Sequence, residues 1–353
     1  MTGGVGRGLT GVRRLGLGWA SRSAVFDRIV DHVERLGSWP SGTVAVLTYH
    51  RVAPVDERPD LFPGLISAVP EEFERQVAYL GRRTRVIGID ELLAARRRSG
   101  AIPHRAVLLT FDDAYRDFAE HAWPILRRFS LPATLFVPTA YPDRPERTFW
   151  WDRLWAALQD TAKQAVDVAG VGRVEVGRQG GAARGAAMLT LRDRIKRMPH
   201  EEALALVDSI VTELDVAPAG GAVLGWDDLR TLAADGVSLA PHSSTHPLLT
   251  RIAPDALDDE IAASRDDLER ETGSRLPAFA YPSGAHDRAV AEAVHKAGFE
   301  IAFATRRATV DVHRVDWLRV PRMNVGGRSG LPVIRAQLSP LAIRLGRVAR
   351  GAS

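Results

Sequence analysis

The sequence predicts an α/β fold in which parallel strands alternate with helical crossovers, with enough units for a barrel. Three observations predict it. Short apolar runs rich in Val, Leu, Ile and Phe recur along the chain. Most are followed by a segment with helical apolar spacing and a recognisable start or stop signal. Side chains able to carry chemistry stand directly after several of the runs, as they do at the carboxyl ends of strands in a parallel barrel.

Residues 1–42 read as an N-terminal helical extension. Ala24 to Leu36 carries Val25, Ile29, Val30 and Val33 at amphipathic spacing, and Pro40-Ser41-Gly42 breaks it. The first strand is Val44 to Tyr49, ending at His50, and a loop with Pro54, Pro59 and Pro63 follows. Pro70-Glu71-Glu72 opens a helix to about Leu80, with proline first and acids in the first turn. Then come a strand Arg85 to Ile89, a helix Asp90 to Arg98, a strand Ala106 to Phe111, a helix around Phe118 to Phe129 and a strand Ala133 to Val137. From about 143 to 225 the rhythm fails. An aromatic helix begins at Phe149-Trp150-Trp151-Asp152, a Gly-rich stretch runs from Gly170 to Gly185, and helices are predicted around Leu191 and from Glu201 to Leu214. This is read as a mainly helical insertion. The rhythm resumes with helix Asp227 to Ala234, strand Val237 to Ala240 and helix Pro254 to Glu271, stopped by Gly273. A short strand Ala278 to Ala280 precedes a helix capped by Asp287 and stopped by Gly298. Ile301 to Ala304 and Leu318 to Val320 are the last strands. The predicted organisation is therefore an extension (1–42), one domain (43–325) holding the insertion, and a basic C-terminal tail (326–353).

Composition sets limits. With 353 residues the chain can bury a sizeable core. The net charge is +4, and all but three of the basic residues are Arg. The basic ends (Arg7, Arg13, Arg14; Arg344, Arg347, Arg350) would favour peripheral contact with an anionic membrane surface. They form no stripe with interleaved aromatics, so no nucleic-acid partner is expected, and no protein partner is predicted. No disulfide can form, because Cys is absent. Neither a transmembrane run nor a signal-peptide h-region is evident, so the expected location is cytoplasmic, with membrane association through the basic ends.

The chemistry concentrates in Thr110-Phe111-Asp112-Asp113 and His242-Ser243-Ser244-Thr245-His246. Two adjacent carboxylates end one strand, and two imidazoles four residues apart follow another. One carboxylate with two imidazoles makes a three-ligand set for a divalent metal with room for a water. The other carboxylate then suits the base that activates that water. Each piece alone has a plainer reading: Asp-Asp after a strand is often a helix N-cap, and a lone His at a strand end is often structural. Pro247 disfavours helical geometry at His246, which points to a loop feeding a helix that begins at Pro247. His50 and the turn Tyr281-Pro282-Ser283-Gly284 fall at two further strand ends. Phe149, Trp150, Trp151 and Trp155 suit either a sugar-stacking platform or the core of the insertion.

These motifs resemble those of the polysaccharide deacetylases, the NodB-homology domains of carbohydrate esterase family 4, from roughly Val44 to Val325. The resemblance implies a distorted (β/α) barrel of about seven parallel strands. It implies metal-dependent removal of N-acetyl groups from an amino-sugar glycan or its precursor. By resemblance Asp112 is the catalytic base, Asp113 a metal ligand, and His242 and His246 the two metal histidines. Zn²⁺ is the expected metal, and Co²⁺, Ni²⁺ or Fe²⁺ suit the same donors. Three departures stand out. The family's third motif, R-P-P-Y-G, appears here as Ala280-Tyr281-Pro282-Ser283-Gly284 and lacks its Arg. Ser283 still offers a backbone N–H to an oxyanion. The family's C-terminal L-x-x-H-D is absent. Leu47-Thr48-Tyr49-His50 stands at the start instead, as in the circularly permuted deacetylases of exported exopolysaccharides, with Arg51 in place of the Asp. His50 is thereby expected to be the general acid. Arg322, on the last strand-like segment, is expected to replace the missing Arg, with Arg319 the alternative. Two other readings stay open: a deformylase or other sugar amidohydrolase, and a catalytically silent carbohydrate-binding domain.

Overall fold

The computed structural model describes residues 28, 31, 32, 34, 37–98, 102–216 and 220–348. Most of the expected Ala24–Leu36 helix lies outside the described residues, as do Arg7, Arg13, Arg14 and Arg350; Arg28, Asp31, His32 and Glu34 are helical. No described helix is long and apolar enough to cross a membrane. The chain divides into two compact units. The described residues of the larger fall in 28–54, 64–144 and 223–348, those of the smaller in 55–63 and 145–222.

In the larger unit Thr43–Tyr49 pairs in parallel with Ala106–Phe111, in register from Val44↔Ala106 to Tyr49↔Phe111. Ala106–Phe111 also pairs with Arg85–Ile87 and with Thr134–Val137, which in turn pairs with Ser238–Pro241. All these pairings are parallel. Thr43–Tyr49 and Ala106–Phe111 are buried at every position, which explains why they read as continuous apolar runs without alternation. A fully buried Val, Leu or Phe contributes ~1.5–3 kcal/mol, so burial on both faces holds the register. A second parallel sheet orders Ala278–Ala280, Ile301–Ala304 and Val320–Pro321. Val44, Val46, Leu108, Phe136, Ala280, Phe303 and Val320 form one core drawn from both sheets.

The two sheets meet at two different seams. At one, the chain itself crosses: Val320–Pro321 pairs with Ile301–Ala304, and Met323–Asn324 pairs with Thr43–Tyr49. Arg322 stands between the two ladders. At the other seam no strand ladder joins Ser238–Pro241 to Ala278–Ala280 among the described residues. Single bonds cross there, from His242 Nδ1 to the Ala280 carbonyl (2.7 Å) and from Ser274 Oγ to the Leu239 carbonyl (3.1 Å). The barrel is distorted at this opening, and the short Val310–Asp311 strand adds an antiparallel edge.

Several boundaries differ from expectation. The predicted helix at 118–129 begins as a π-helix, Phe118–Ala122, and becomes α only at Trp123–Arg128, where Pro124 removes a donor. The expected C-terminal tail is instead two helices, Leu331–Gln337 and Pro340–Val348, that bury Ile334, Leu338 and Ile343. Pro332 suits the first turn of the former, and its Arg335 pairs with Asp31 and Glu34.

The smaller unit contains helices Trp150–Asp160, Ala182–Ile195 and His200–Leu214. It also contains an antiparallel hairpin, Ala165–Val168 with Gly172–Glu175, whose second strand lies in the stretch read as Gly-rich. The missed signal was the alternation of Val166, Val168, Val174 and Val176, all buried. The segment 55–63 also groups with this unit. Phe149 stacks on Trp151, and Trp155 packs edge-on against Phe62 and donates to the Pro59 carbonyl. Phe149, Trp151 and Trp155 are buried, which makes the cluster a core and removes these three rings from any stacking platform. Arg184, buried, donates to the Leu158, Gln159 and Thr161 carbonyls and so closes the end of helix Trp150–Asp160.

Candidate metal centre and active site

Asp112 and Asp113 directly follow Ala106–Phe111, and His242 directly follows Ser238–Pro241. Parallel pairing through Thr134–Val137 sets these two strand ends side by side. Asp113 Oδ1 lies 3.3 Å from His246 Nε2 and 3.6 Å from His242 Nε2. One ligand atom from each of the three lies within 4.8 Å of the others. Among the described residues Asp113 Oδ1 is buried and has no hydrogen bond of good geometry, the nearest nitrogen being His246 Nε2.

A buried carboxylate oxygen without a donor is costly unless a cation satisfies it. His242 supports the same reading. Its Nδ1 faces the Ala280 carbonyl, which can only accept, so Nδ1 carries the proton and Nε2 presents its lone pair to Asp113. Burial holds His242 down at about 4, against the pull of Asp112, so it is neutral at physiological pH. Burial would raise Asp113, but His246, His50 and His242 together hold it below the ordinary carboxylate range. One carboxylate and two neutral-capable imidazoles fit a divalent cation with an open position.

The loop carrying the histidines is not helical at Pro247, contrary to expectation; a single 3-10 turn follows at Leu249–Arg251. Ser243 and His246 both have positive φ, 59° and 61°. Asp113 and Ala114 do too, at 73° and 51°. Non-glycine residues in this region carry strain of about 1–3 kcal/mol each, which the surrounding bonds must hold. The Ser243 hydroxyl accepts the His246 N–H at 3.1 Å.

Arg322 is fully buried and grips Asp112 with both terminal nitrogens, Nη1 to Oδ1 at 2.7 Å and Nη2 to Oδ2 at 2.8 Å. The guanidinium also lies over the Phe136 and Phe303 rings, 5.4 and 5.9 Å from their centroids. Burial would raise Asp112, but Arg322, His242 and His50 outweigh it and keep the carboxyl below its ordinary value. Arg319 instead faces Asp316 at 3.6 Å and is half exposed. The seam-crossing segment therefore brings Arg322, not Arg319, to Asp112. His50 lies close enough to act electrostatically on both Asp112 and Asp113, and its N–H donates to Ser67 Oγ at 3.0 Å. Next to it Arg51, buried, pairs with Asp117 at 2.8 Å. Ser283 sits exposed at φ 55° in the turn just after Ala280. That turn is pressed against Thr305, so a Cβ on Gly284 would come 2.3 Å from the Thr305 nitrogen. Sequence reasoning missed Asp117, and it missed Glu260, which holds the histidine loop; neither stands beside a strand end in a recognisable motif.

The profile of the polysaccharide deacetylase family matches residues 99–302, more than half of the chain, and the chain belongs to that family. The poly-beta-1,6-N-acetyl-D-glucosamine N-deacetylase of Escherichia coli K12 is 30% identical over 108 residues, covering 30% of this chain and 16% of that protein. Its namesake from Staphylococcus epidermidis is 26% identical over 110 residues, covering 29% of this chain and 38% of that protein. The chain thus aligns with well under two thirds of either relative's length. Among solved structures, Streptococcus pyogenes deacetylase PplD in complex with acetate aligns with TM-score 0.55 and 17% identity, covering 83% of this chain and 96% of that one. IcaB from Ammonifex degensii aligns with TM-score 0.54 and 19% identity, covering 86% and 100%. The fold is therefore that of the NodB-type deacetylases.

Proposed function

We propose that this protein removes N-acetyl groups from an N-acetylated amino-sugar glycan, using a divalent metal, Zn²⁺ by preference, held by Asp113, His242 and His246. The observation that carries the reading is the buried, unbonded Asp113 Oδ1 facing two imidazole nitrogens beside an Arg-clamped Asp112. A bound cation would supply Lewis acidity toward a water and the amide oxygen. Asp112 takes the proton from the attacking water, and Arg322 keeps that carboxylate ionised and fixed in orientation. His50 gives a proton to the departing amine, which is a very poor leaving group without one. The Ser283 N–H donates to the developing oxyanion. The names of the matched relatives support a glycan of the β-1,6-linked N-acetylglucosamine type.

The test combines metal content with product. Purified protein should carry one divalent ion per chain and release acetate, not formate, from N-acetylglucosamine oligomers. His242→Ala and His246→Ala should each lose metal and activity together. Full metal occupancy in both variants would rule out the ligand set, and release of formate would transfer the protein to deformylation.

A further inference from the structure

We infer that Glu260 is a positioning residue for the metal centre, holding the strained loop that presents His242 and His246. It rests on the metal reading above and adds a residue that touches no ligand atom. Glu260 lies in the opening turns of helix Ala256–Thr272, half-buried against the loop. Its Oε2 accepts the Ser244 N–H at 3.0 Å and the Thr245 N–H at 2.9 Å. Its Oε1 accepts the Thr245 hydroxyl, and its main-chain carbonyl shares the Ser244 N–H. One carboxylate thus binds both main-chain donors and the Thr245 hydroxyl of the two residues between Ser243 and His246. Glu260 forms no ion pair among the described residues, so its charge is directed at these donors. On the opposite side, Thr139 N and Ala140 N donate to the Ser243 and Ser244 carbonyls at 3.2 and 3.0 Å, and the Tyr141 hydroxyl donates to the Thr245 carbonyl at 3.3 Å. The loop is clamped from two sides, and Glu260 puts a charged acceptor directly on its main-chain donors.

The physical reason for a charged clamp is the conformation. Ser243 and His246 both adopt left-handed backbone that L-residues avoid. A chain released from such a conformation relaxes toward ordinary φ, and the His246 ring moves with its backbone. Charge-assisted bonds to the two intervening N–H groups oppose that relaxation. Loss of such outer support typically weakens metal binding ~10–100-fold.

The experiment is a competition titration of the metal-free full chain with Zn²⁺ against a chromophoric chelator. Glu260→Ala should bind Zn²⁺ at least ~10-fold more weakly than wild type. Glu260→Gln, which keeps an acceptor for the N–H pair but not the charge, should recover only part of that loss. Asp266→Asn is the control for general damage to the helix, since Asp266 is exposed on the same helix and accepts from Arg265 rather than from the Ser244–Thr245 donors; it should leave Zn²⁺ affinity unchanged. Should Glu260→Ala not fold, Glu260→Asp, which withdraws the carboxylate by one methylene, must itself bind Zn²⁺ more weakly. Wild-type affinity in Glu260→Ala, or in Glu260→Asp where Glu260→Ala does not fold, overturns the inference, as does an equal loss in Asp266→Asn. If wild type itself takes up no Zn²⁺, the metal reading fails, a result separate from any difference among the variants.

Discussion

Replacing Arg322 by Met tests the centre of the proposed site most directly. Met approximates the length of the Arg stem and keeps contact with Phe136 and Phe303, but removes both bonds to Asp112. Asp112 is 3% exposed and Arg322 is fully buried, so water cannot take the lost partner's place without opening the core. Breaking a buried pair by deleting one partner typically costs about 3–5 kcal/mol. At about 2–4 °C per kcal/mol for a unit of this size, Tm should fall by roughly 10 °C. The cost should be conditional on the orphaned carboxylate. Asp112→Asn combined with Arg322→Met removes the uncompensated charge, so the double variant should be more stable than the sum of the single losses implies, by about 1–3 kcal/mol of coupling. Differential scanning calorimetry on the four proteins measures this cycle. A Tm within 2 °C of wild type for Arg322→Met, or strict additivity across the cycle, would refute the view that Arg322 is the charge partner of Asp112.

The other predictions concern chemistry and pH. Asp112→Asn should retain metal but lose turnover by ~10²–10⁴-fold, since Asn cannot accept a proton; activity within a few-fold of wild type would make Asp112 structural. His50→Ala should retain metal while kcat on amide substrates falls by ~10²-fold or more, with a much smaller loss on an aryl acetate ester whose leaving group needs no proton. Equal losses on both substrates would assign His50 to positioning rather than proton donation. Burial pushes Asp117 up to about 6 from an ordinary 3.8, against the pull of Arg51 and the Val52 N–H. The folded state therefore binds this proton more tightly than the unfolded state, so the stability it contributes is full below about pH 4 and is lost as pH rises through 6. The Tm of wild type relative to Asp117→Asn should accordingly fall between pH 4 and 6.5. A gap that widens with pH would mean that Arg51 holds Asp117 below its ordinary value instead.

The local elements of the larger unit were legible because each announces itself within a few residues. Ala106–Phe111, Ala278–Ala280 and Ile301–Ala304 fall where the apolar runs placed them, since a strand buried on both faces must be apolar throughout. Proline and acids at Pro70-Glu71-Glu72 and glycine at Gly273 mark helix ends through backbone chemistry alone. The carboxylate pair and the two histidines were legible for the same reason, as compact motifs at strand ends. The sequence favoured Arg322 over Arg319, and the tertiary structure shows Arg322 on Asp112. Pro321 and the change of ladder between Val320–Pro321 and Met323–Asn324 decide which guanidinium turns inward, and no local pattern encodes that crossing. Tertiary packing also decided the burial of the Trp cluster and the C-terminal helices, which depend on partners distant in sequence, whereas the hairpin at 165–175 is local and its alternating valines stand in the sequence. Local propensity is set by a residue and its near neighbours, whereas the direction of a side chain such as Arg322 or Glu260 is set by whichever strand or loop the fold brings opposite it.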